Sequence, residues 1–478
     1  MEWSALLLSR VQFAFTTSFH IIFPAFTIGL AAWLSVLEAM SLATGNPVYR
    51  RVFDFWLRIF AVAFGIGVVT GIVMAFQFGT HWSELSRASG PIQGPLLAYE
   101  SFTAFALEAS FFGVMMFGRK RVPKWLYLVA CICVAIGTTL SAFWILVNNS
   151  WMQAPMGTEL RNGVFVPVDW AAVIFNRVVW VRFPHMLLGA YLTTSFCVAA
   201  VGAWLLLRKR DRIEATIMVR MALGLAAVLV PLQMFFGHLV GDVVHDLQPV
   251  KFAAIEGRWH DEQPAAEVLV AWPDAEHERN RFEWKVPVLG SVIASGSLDS
   301  KEVGLTSFPK EDRPPVLIPF FTFRVMAGCG VLMALVAWVG GWLVRRPRFE
   351  NRRWLLIPIA WSFPLGFIAT VAGWFTAEVG RQPWAVWGLL RTANALTPGL
   401  STSFAAGTLV MYVAIYAFIF CFGVFYTYRL IQRGVAQFDV ATVWNGIPIP
   451  RTYVTDPTWA AQRQQAEVAL AARARVNP

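Results

Sequence analysis

The sequence predicts an all-α polytopic membrane protein with nine transmembrane helices, its N-terminus outside and its C-terminus in the cytoplasm. Hydrophobic residues make up 57% of the 478 residues and charged residues 14%, whereas a soluble domain carries about 25% charged residues. Nine apolar runs have the roughly 20 residues that a helix needs to cross a bilayer core. Basic residues are concentrated in alternate short loops, which indicates the orientation of the chain.

The nine apolar runs divide the chain into membrane and polar regions. The first run is too long for the apolar core of a signal peptide, so we expect it to remain as a helix. The predicted spans are 11–38, 55–78, 95–117, 125–148, 183–207, 215–239, 318–344, 354–378 and 403–428. The predicted regions are 1–247 with helices one to six, an outer polar segment at 248–317, 318–430 with helices seven to nine, and a cytoplasmic tail at 431–478.

The short loops differ sharply in basic residues. One alternating set holds 15 Lys and Arg in 34 positions, and the opposite set holds six in 74. The first set comprises 42–52, 118–124, 208–214 and 345–353, and the second comprises 79–94, 149–182 and 379–402. The positive-inside rule places the first set in the cytoplasm. The net charge of +10 is therefore explained by membrane topology, and nucleic-acid binding is not expected.

Ionisable residues inside the predicted spans are few, and at membrane depth such residues are functional candidates by default. They are His20, Glu100, Glu108, His185, His238, Arg324 and Glu378. With this topology, five different helices place His, Glu, Arg or Met side chains in the outer half of the membrane. His20, for example, lies roughly 12 Å deep at 1.5 Å per residue. This convergence indicates one buried polar site or a row of cofactors.

Several occupants of this level are consistent with the residues alone. His185 and Met326 are the side-chain types that hold a low-spin haem iron from both sides, and a single His or carboxylate leaves the iron an open face. Alternatively, each His is a hydrogen-bonded packing residue and Met326 fills the core. A secondary transporter also uses intramembrane His and carboxylates, although transporters usually show inverted repeats and broken helices at mid-depth. By eye, no internal repeat is visible.

A second feature is the pair Glu100 and Glu108, eight residues apart on one predicted helix and close to the same face. Ser141 lies in the next span. A carboxylate below an outer site, on its cytoplasmic side, is suited to a proton relay. The alternative is a neutral Glu108 that is hydrogen-bonded to a neighbouring helix.

Five sequence strings, in order along nine spans, resemble subunit I of the cytochrome bd quinol oxidases over essentially the full chain. The most specific string is GWFTAEVGRQPW at 373–384, with Glu378 upstream of GRQPW. The others are FQFGT at 76–80, SAFWILV at 141–147, WMQ at 151–153 and QPVKFAAIE at 248–256. The resemblance implies a terminal oxidase with haem cofactors in a bacterial cytoplasmic membrane, so the outer side is the periplasm.

The resemblance also implies residue roles. His185 and Met326 match the axial ligands of a low-spin haem b. His20, with Glu100 close to the same iron, and Glu378 match ligands of two high-spin haems. Glu108 and Ser141 match the proton path. The residues that match the surroundings of the haems and their propionates are Arg324, Trp374 and Arg381.

The outer segment 248–317 corresponds in this family to the Q-loop, where Lys251 and Glu256 match the quinol-binding residues. Taken without the motif, two charges in a polar loop would be read as solvated. The Q-loop is short, as in the cyanide-insensitive branch. Some members of that branch carry haem b in place of haem d, so the second high-spin haem is expected to be haem d or a further haem b.

The activity implied is quinol:O2 oxidoreduction. Quinol is oxidised on the periplasmic side and O2 is reduced to water with cytoplasmic protons, which generates proton motive force without pumping. The implied partners are a second membrane subunit (subunit II), with or without a small single-span subunit. The alternative of a haem b protein that only relays electrons needs one ligand pair and leaves Glu100, Glu108 and Glu378 unexplained.

Overall fold

The computed structural model describes residues 3–435, and this part of the chain is predominantly helical. The predicted tail begins inside the last helix, and its remainder, 436–478, lies outside the described residues. The α-helices are α1 (Ala5–Thr44), α2 (Pro47–Thr80), α3 (Ser83–Tyr99), α4 (Ala106–Phe117), α5 (Lys124–Gln153), α6 (Trp170–Ile174), α7 (Arg177–Leu207), α8 (Arg212–Leu247), α9 (Pro249–Glu256), α10 (Leu289–Ser295), α11 (Leu317–Leu335), α12 (Gly341–Leu343), α13 (Arg353–Trp361), α14 (Pro364–Val379) and α15 (Thr402–Arg433).

Three antiparallel two-stranded sheets lie in the segments that connect the long helices. They are formed by β1 (Thr158–Arg161) with β2 (Val164–Pro167), β3 (Glu267–Asp274) with β4 (Arg279–Val286), and β5 (Trp384–Val386) with β6 (Leu390–Arg391). Short 3-10 turns occupy Leu305–Ser307, Lys310–Asp312, Phe349–Asn351 and Thr392–Ala395.

Eight helical segments of the described chain are long and apolar enough to cross a membrane. The remaining predicted span, 95–117, is helical, but its backbone is π-helical from Glu100 to Phe105, between α3 and α4. Glu100 and Glu108 also make this segment less apolar than the other eight. A second π-helical stretch, Val336–Gly340, joins α11 to α12. The count of nine and the orientation of the termini remain predictions.

Polar caps define the ends of several long helices. The Ser4 hydroxyl accepts a hydrogen bond from Leu7 N at 3.2 Å at the start of α1. Asn46 caps α2 through Val48 N at 3.0 Å, and Asn176 caps α7 through Val179 N at 3.1 Å. Gly45 ends α1 with φ +65°, a conformation that glycine adopts without a steric penalty. These caps satisfy backbone N–H groups at the helix starts that have no partner inside the helix.

Helix α7 is the central helix, since it packs against α1, α5, α8, α13 and α14. The largest apolar cluster joins α1, α2, α5, α7 and α8, and it includes Leu34, Phe60, Val134, Ala199 and Met218. Helix α15 packs mainly on α1 and α2, and most of its apolar side chains face outward. The position of α7 matters for function because this helix carries His185.

Ion pairs tie the basic loops to the helix bundle. Arg51 donates to Glu214 at 2.6 Å, and Arg119 donates to Glu38 at 2.8 Å. Glu38 is buried, so its pairing with Arg119 satisfies a charge that would otherwise be costly inside the protein. Some of the loop cations that indicate topology therefore also stabilise the packing of the helices.

The outer segment 248–317 is folded around α9, the β3–β4 hairpin and α10. Its two halves are joined by reciprocal backbone hydrogen bonds between Glu262 and Glu302, each 3.0 Å long. Asp261, next to this bridge, accepts hydrogen bonds from Gly304 N at 2.9 Å and Ser307 Oγ at 2.7 Å, and pairs with Lys301 Nζ at 2.9 Å. These donors, the Gly304 N–H first, hold the pKa of Asp261 well below its usual range.

This contact predicts an acid-sensitive outer segment. A carboxyl group with a depressed pKa stabilises the fold above its unfolded value of about 3.9, and the stabilisation is lost as pH falls through the folded pKa. We expect the protection of amides in 257–307 from hydrogen exchange, relative to the intrinsic rate at each pH, to fall below about pH 4. Asp261→Asn should lower this protection already at pH 7 and reduce its change with acid. Asp299→Asn, which removes an exposed carboxylate without these contacts, is the control, and equal exchange in both variants at pH 7 would contradict the prediction.

Candidate functional site

The His185 ring, on α7, is partly buried, and one of its nitrogens has no partner in the described part of the chain. Its Nδ1 has no hydrogen-bond partner within residues 3–435, and its Nε2 lies 3.4 Å from the Gln233 amide of α8. A β-carbon at Gly237 would lie only 3.2 Å from the His185 Cε1. Glycine at 237 therefore makes room for the ring, and the ring retains a nitrogen that is able to bind a metal.

Met326, on α11, is held in a similar way. A β-carbon at Gly373, on α14, would lie 2.9 Å from the Met326 Sδ. Helix α14 packs against both α7 and α11, so it adjoins the helices of both predicted axial ligands. The Met326 thioether thus lies against the most specific sequence string, which begins at Gly373.

Gly373→Ala should displace Met326 because the added methyl group meets the sulfur at less than van der Waals distance. With Met326 as the predicted axial ligand, we expect a shift of the low-spin haem band and about a tenfold loss of that haem, which is the smaller of the effects seen when a residue that supports a metal ligand is changed. Gly330→Ala is the control, since a β-carbon there has no neighbour within 4 Å. Optical spectra of both variants in the reduced state test this, and an unchanged band in Gly373→Ala would contradict it.

His20, on α1, has one ring nitrogen occupied by a hydroxyl group of α2. Its Nδ1 lies 2.9 Å from Thr70 Oγ1. That hydroxyl already has the carbonyls of Ile66 and Gly67 as acceptors, at 2.9 and 3.1 Å. Its single hydrogen is used there, so the His20 Nδ1–H donates to Thr70 and Nε2 is left with its lone pair. This is the arrangement that orients a metal-binding imidazole.

The predicted proton path follows the π-helical turn. Ser141 Oγ donates to Glu100 Oε1 at 2.8 Å, and one turn along α5 the Trp144 Nε1 donates to Thr103 Oγ1 at 2.9 Å. Glu108 is buried on α4, and a β-carbon at Gly137 would lie 2.6 Å from its Cγ. The π-helical turn, a feature frequent at functional sites, therefore separates the two carboxylates, and α5 contacts both.

Glu378, at the end of α14, is surrounded by donors. Asn149 Nδ2 and Gln153 Nε2 each donate to its Oε1 at 3.1 Å. Arg381 Nη2 is 2.5 Å from its Oε2, and Arg182 Nη2 is 3.9 Å from its Oε1. Of these four partners of Glu378, only Arg381 was predicted from the sequence as a site residue. Arg182 falls in the predicted outer loop 149–182 but lies inside α7, one turn before His185.

The Glu378 carboxylate interacts with three cationic side chains, those of Arg182, Arg381 and Lys251. Arg182 Nη1 and Arg381 Nε and Nη1 are buried without hydrogen-bond partners in the described part of the chain. Unpaired buried cationic donors are costly, so their arrangement fits an anionic ligand. A haem supplies this charge through its two propionates. Trp374 lies beside the group, with the Arg182 Cζ 5.9 Å from its ring.

Lys251 and Glu256, both on α9, are buried, which rules out the reading of two solvated loop charges. Lys251 Nζ donates to Gln153 Oε1 at 2.9 Å. Burial, reinforced by Arg182, lowers the pKa of Lys251 to about 7. Glu256 Oε2 has no hydrogen-bond partner within the described chain. Burial, followed by the charge of the nearby Glu256 carboxylate, raises the pKa of Glu267.

Arg324 connects the membrane helix α11 to the outer segment. It donates to the carbonyls of Ile255 at 2.9 Å, Leu269 at 3.0 Å and Phe320 at 3.0 Å, and its Nη2 lies 3.9 Å from Glu267 Oε1. The structure therefore places this guanidinium against the backbone of the segment that carries Glu256, and its predicted contact with haem remains a prediction.

The sequence did not single out Arg182, Asn149, Gln153 or Glu267. Gln153 is the last letter of the WMQ string, which was the only available signal for it. Arg182, Asn149 and Glu267 belong to segments predicted as loops, where a polar residue is unremarkable.

The model of the family described as cytochrome bd terminal oxidase subunit I matches residues 8–435. The chain belongs to this family. It is thus a subunit of a cytochrome bd terminal oxidase, a quinol:O2 oxidoreductase of the bacterial cytoplasmic membrane with haem cofactors. In this family, subunit I works with subunit II in a membrane complex.

Cytochrome bd relatives cover nearly the whole chain. The cytochrome bd ubiquinol oxidase subunit 1 of Bacillus subtilis is 38% identical over 446 residues, which span 90% of this chain and 94% of that protein. The cytochrome bd-II ubiquinol oxidase subunit 1 of Escherichia coli is 34% identical, with 87% and 94% covered. A solved bd oxidase structure from Geobacillus thermodenitrificans is 28% identical and has a TM-score of 0.84, with 90% and 99% covered.

Proposed function

We propose that this cytochrome bd subunit oxidises quinol on the periplasmic side beside Lys251 and Glu256, and that O2 is reduced to water with protons taken from the cytoplasm past Glu108. One observation carries the proposal. Lys251, from the Q-loop, donates to Gln153 Oε1 at 2.9 Å, and the same Gln153 side chain donates to Glu378 Oε1 at 3.1 Å. The side chain proposed to contact quinol is therefore one residue away from the side chain proposed to bind iron.

The residues fit haem at three places. His185 and Met326 would hold a low-spin haem b, His20 with Glu100 a high-spin haem, and Glu378 a second high-spin haem, which is haem d or a further haem b. These groups, when bound, supply the electron transfer and oxygen chemistry that side chains lack. The chain orients the ligands and excludes water from them. Arg182, Arg381 and Trp374 provide cationic and aromatic contacts next to Glu378.

On the periplasmic side, the chain binds quinol and receives its protons. Oxidation of a quinol to a quinone releases two protons and two electrons. Within residues 3–435 one oxygen of the Glu256 carboxylate has no hydrogen-bond partner, so it is suited to accept a proton from a quinol hydroxyl. Lys251 is suited to donate a hydrogen bond to a quinol oxygen. Release of these protons to the periplasm follows from the proposed orientation, in which 248–317 is outside.

On the cytoplasmic side, Glu108 is the proposed proton carrier. Glu108 is buried on α4. The other carboxylate of this segment, Glu100, accepts a hydrogen bond from the Ser141 hydroxyl. Uptake of protons from the cytoplasm and release of quinol protons outside separates charge without a pump. These directions of proton uptake and release depend on the proposed nine-span topology with a periplasmic N-terminus. The complex contains subunit II, with or without a small single-span subunit.

The first experiment is a dithionite-reduced minus air-oxidised spectrum of the purified complex, with pyridine haemochrome analysis. A low-spin b band together with a far-red chlorin band is expected if haem d is present. Haem b alone, together with quinol-driven O2 uptake, assigns haem b to both high-spin sites. Absence of haem would contradict the proposal.

Glu256→Gln tests the quinol site. The change keeps the size of the side chain but removes the base, and loss of a general base lowers the rate by about 10²–10⁴-fold. We expect that loss in quinol oxidation, while O2 reduction with an artificial electron donor stays unchanged. Glu276→Gln, which neutralises an exposed carboxylate of the β3–β4 turn, is the control. Equal loss with both donors would contradict a quinol role for Glu256.

A further inference from the structure

Gln153, the last residue of α5, bridges two parts of the proposed site. Its Oε1 accepts a hydrogen bond from Lys251 Nζ at 2.9 Å, and its Nε2 donates to Glu378 Oε1 at 3.1 Å. The side chain is buried. A single amide therefore connects the lysine of the Q-loop to the carboxylate at the end of α14.

The partners determine which way the amide faces. Lys251 and Gln248 offer N–H groups at one end, with Gln248 Nε2 at 3.2 Å from Oε1. Glu378 and the Ala377 carbonyl, at 3.4 Å, offer only acceptors at the other end. A flipped amide would place donor against donor and acceptor against acceptor. The orientation is thus fixed by chemistry.

The end of α5 is held in place without the side chain of Gln153. The end of α5 is already tied to Gln248, whose Nε2 donates to the Gln153 main-chain oxygen at 2.7 Å. Glycine at position 380 makes room for the Lys251 side chain, because a β-carbon there would lie 3.1 Å from Lys251 Cγ. The side-chain amide is therefore free to serve Lys251 and Glu378.

We propose that Gln153 is a positioning residue that couples the quinol site to the Glu378 site. Its acceptor end holds the Lys251 ammonium where quinol binds, and its donor end fixes the Glu378 carboxylate for iron. This inference rests on the proposed function of Lys251 and Glu378. Gln153 itself touches neither quinol nor iron.

Gln153→Leu and Gln153→Glu separate the two ends. Gln153→Leu removes both hydrogen bonds, and a bond to a charged group contributes about 1.5–3 kcal/mol. We expect the KM for quinol to rise about 10- to 100-fold and the high-spin haem spectrum to shift, with the low-spin band unchanged. Gln153→Glu keeps an acceptor for Lys251 but opposes Glu378 with a second carboxylate, so we expect a KM close to wild type and a shifted high-spin spectrum.

Gln12→Leu is the matched control because Gln12 is also a buried amide, bonded to Gln77 and Thr408. We expect it to change neither the KM nor the high-spin spectrum. The same changes in Gln12→Leu, or an unchanged KM and spectrum in Gln153→Leu, would overturn the inference. If Gln153→Leu does not assemble, an unshifted spectrum in Gln153→Glu overturns it. A wild-type complex without haem or quinol oxidation would instead refute the proposed function.

Discussion

His185→Ala and Met326→Ala are each expected to remove the low-spin haem b band. His185 has a buried ring nitrogen without a hydrogen-bond partner in the described part of the chain, and the Met326 sulfur lies against Gly373. In the described structure, neither side chain makes a contact that indicates a different role for these atoms. Loss of a residue that supports a ligand weakens metal binding by about 10–100-fold, so loss of the ligand itself should weaken it at least as much.

The controls for these variants are His238→Ala and Met234→Ala. His238 is largely exposed and lies 3.7 Å from Asp242, and Met234 is exposed on the same helix, α8. Reduced-state spectra and haem content per protein would be measured for all four. A normal low-spin band in either His185→Ala or Met326→Ala would refute the ligand assignment, whereas loss in the controls as well would indicate a general assembly defect.

Glu378→Ala is expected to have the second large effect, loss of one high-spin haem together with a marked loss of stability. The carboxylate is the anion shared by Arg182, Arg381 and Lys251. Its removal leaves buried positive charges uncompensated, and breaking a buried ion pair in this way costs about 3–5 kcal/mol. We expect a lower temperature of thermal unfolding and loss of quinol-driven O2 reduction.

Glu159→Ala is a suitable comparison for Glu378→Ala. Glu159 pairs with Arg161 at 2.8 Å, but both side chains are exposed, and an exposed pair contributes about 0–1 kcal/mol. Glu378→Gln keeps the shape and removes the charge, which separates the loss of charge from the loss of packing. Full retention of haem and stability in both Glu378 variants would contradict the assignment of iron and charge balance to this residue.

From the sequence, motif and membrane depth both indicate His185, Met326 and Glu378, and the motif alone indicates Lys251; the roles of these residues stay predictions. His185, Met326, Glu378 and Lys251 were all named, and the structure brings Lys251 into the group around Glu378. Burial of Lys251 was not predicted, because a charge in a polar segment is normally solvated. Its burial depends on α9 packing against α8 and α11 and on the contact of Lys251 with Gln153 of α5, and both α11 and α5 are distant from α9 in sequence.

Eight helices of the described chain are apolar and long enough to cross a membrane, and the sequence by itself predicted each of them, since each depends on a local run of apolar residues. It also carried the family resemblance, because motif residues are read directly. Only the tertiary structure decided the π-helical turn at Glu100, the inclusion of Arg182 in the Glu378 group and the bridge through Gln153. These features depend on which side chains from separate helices meet, and no local periodicity encodes such a meeting.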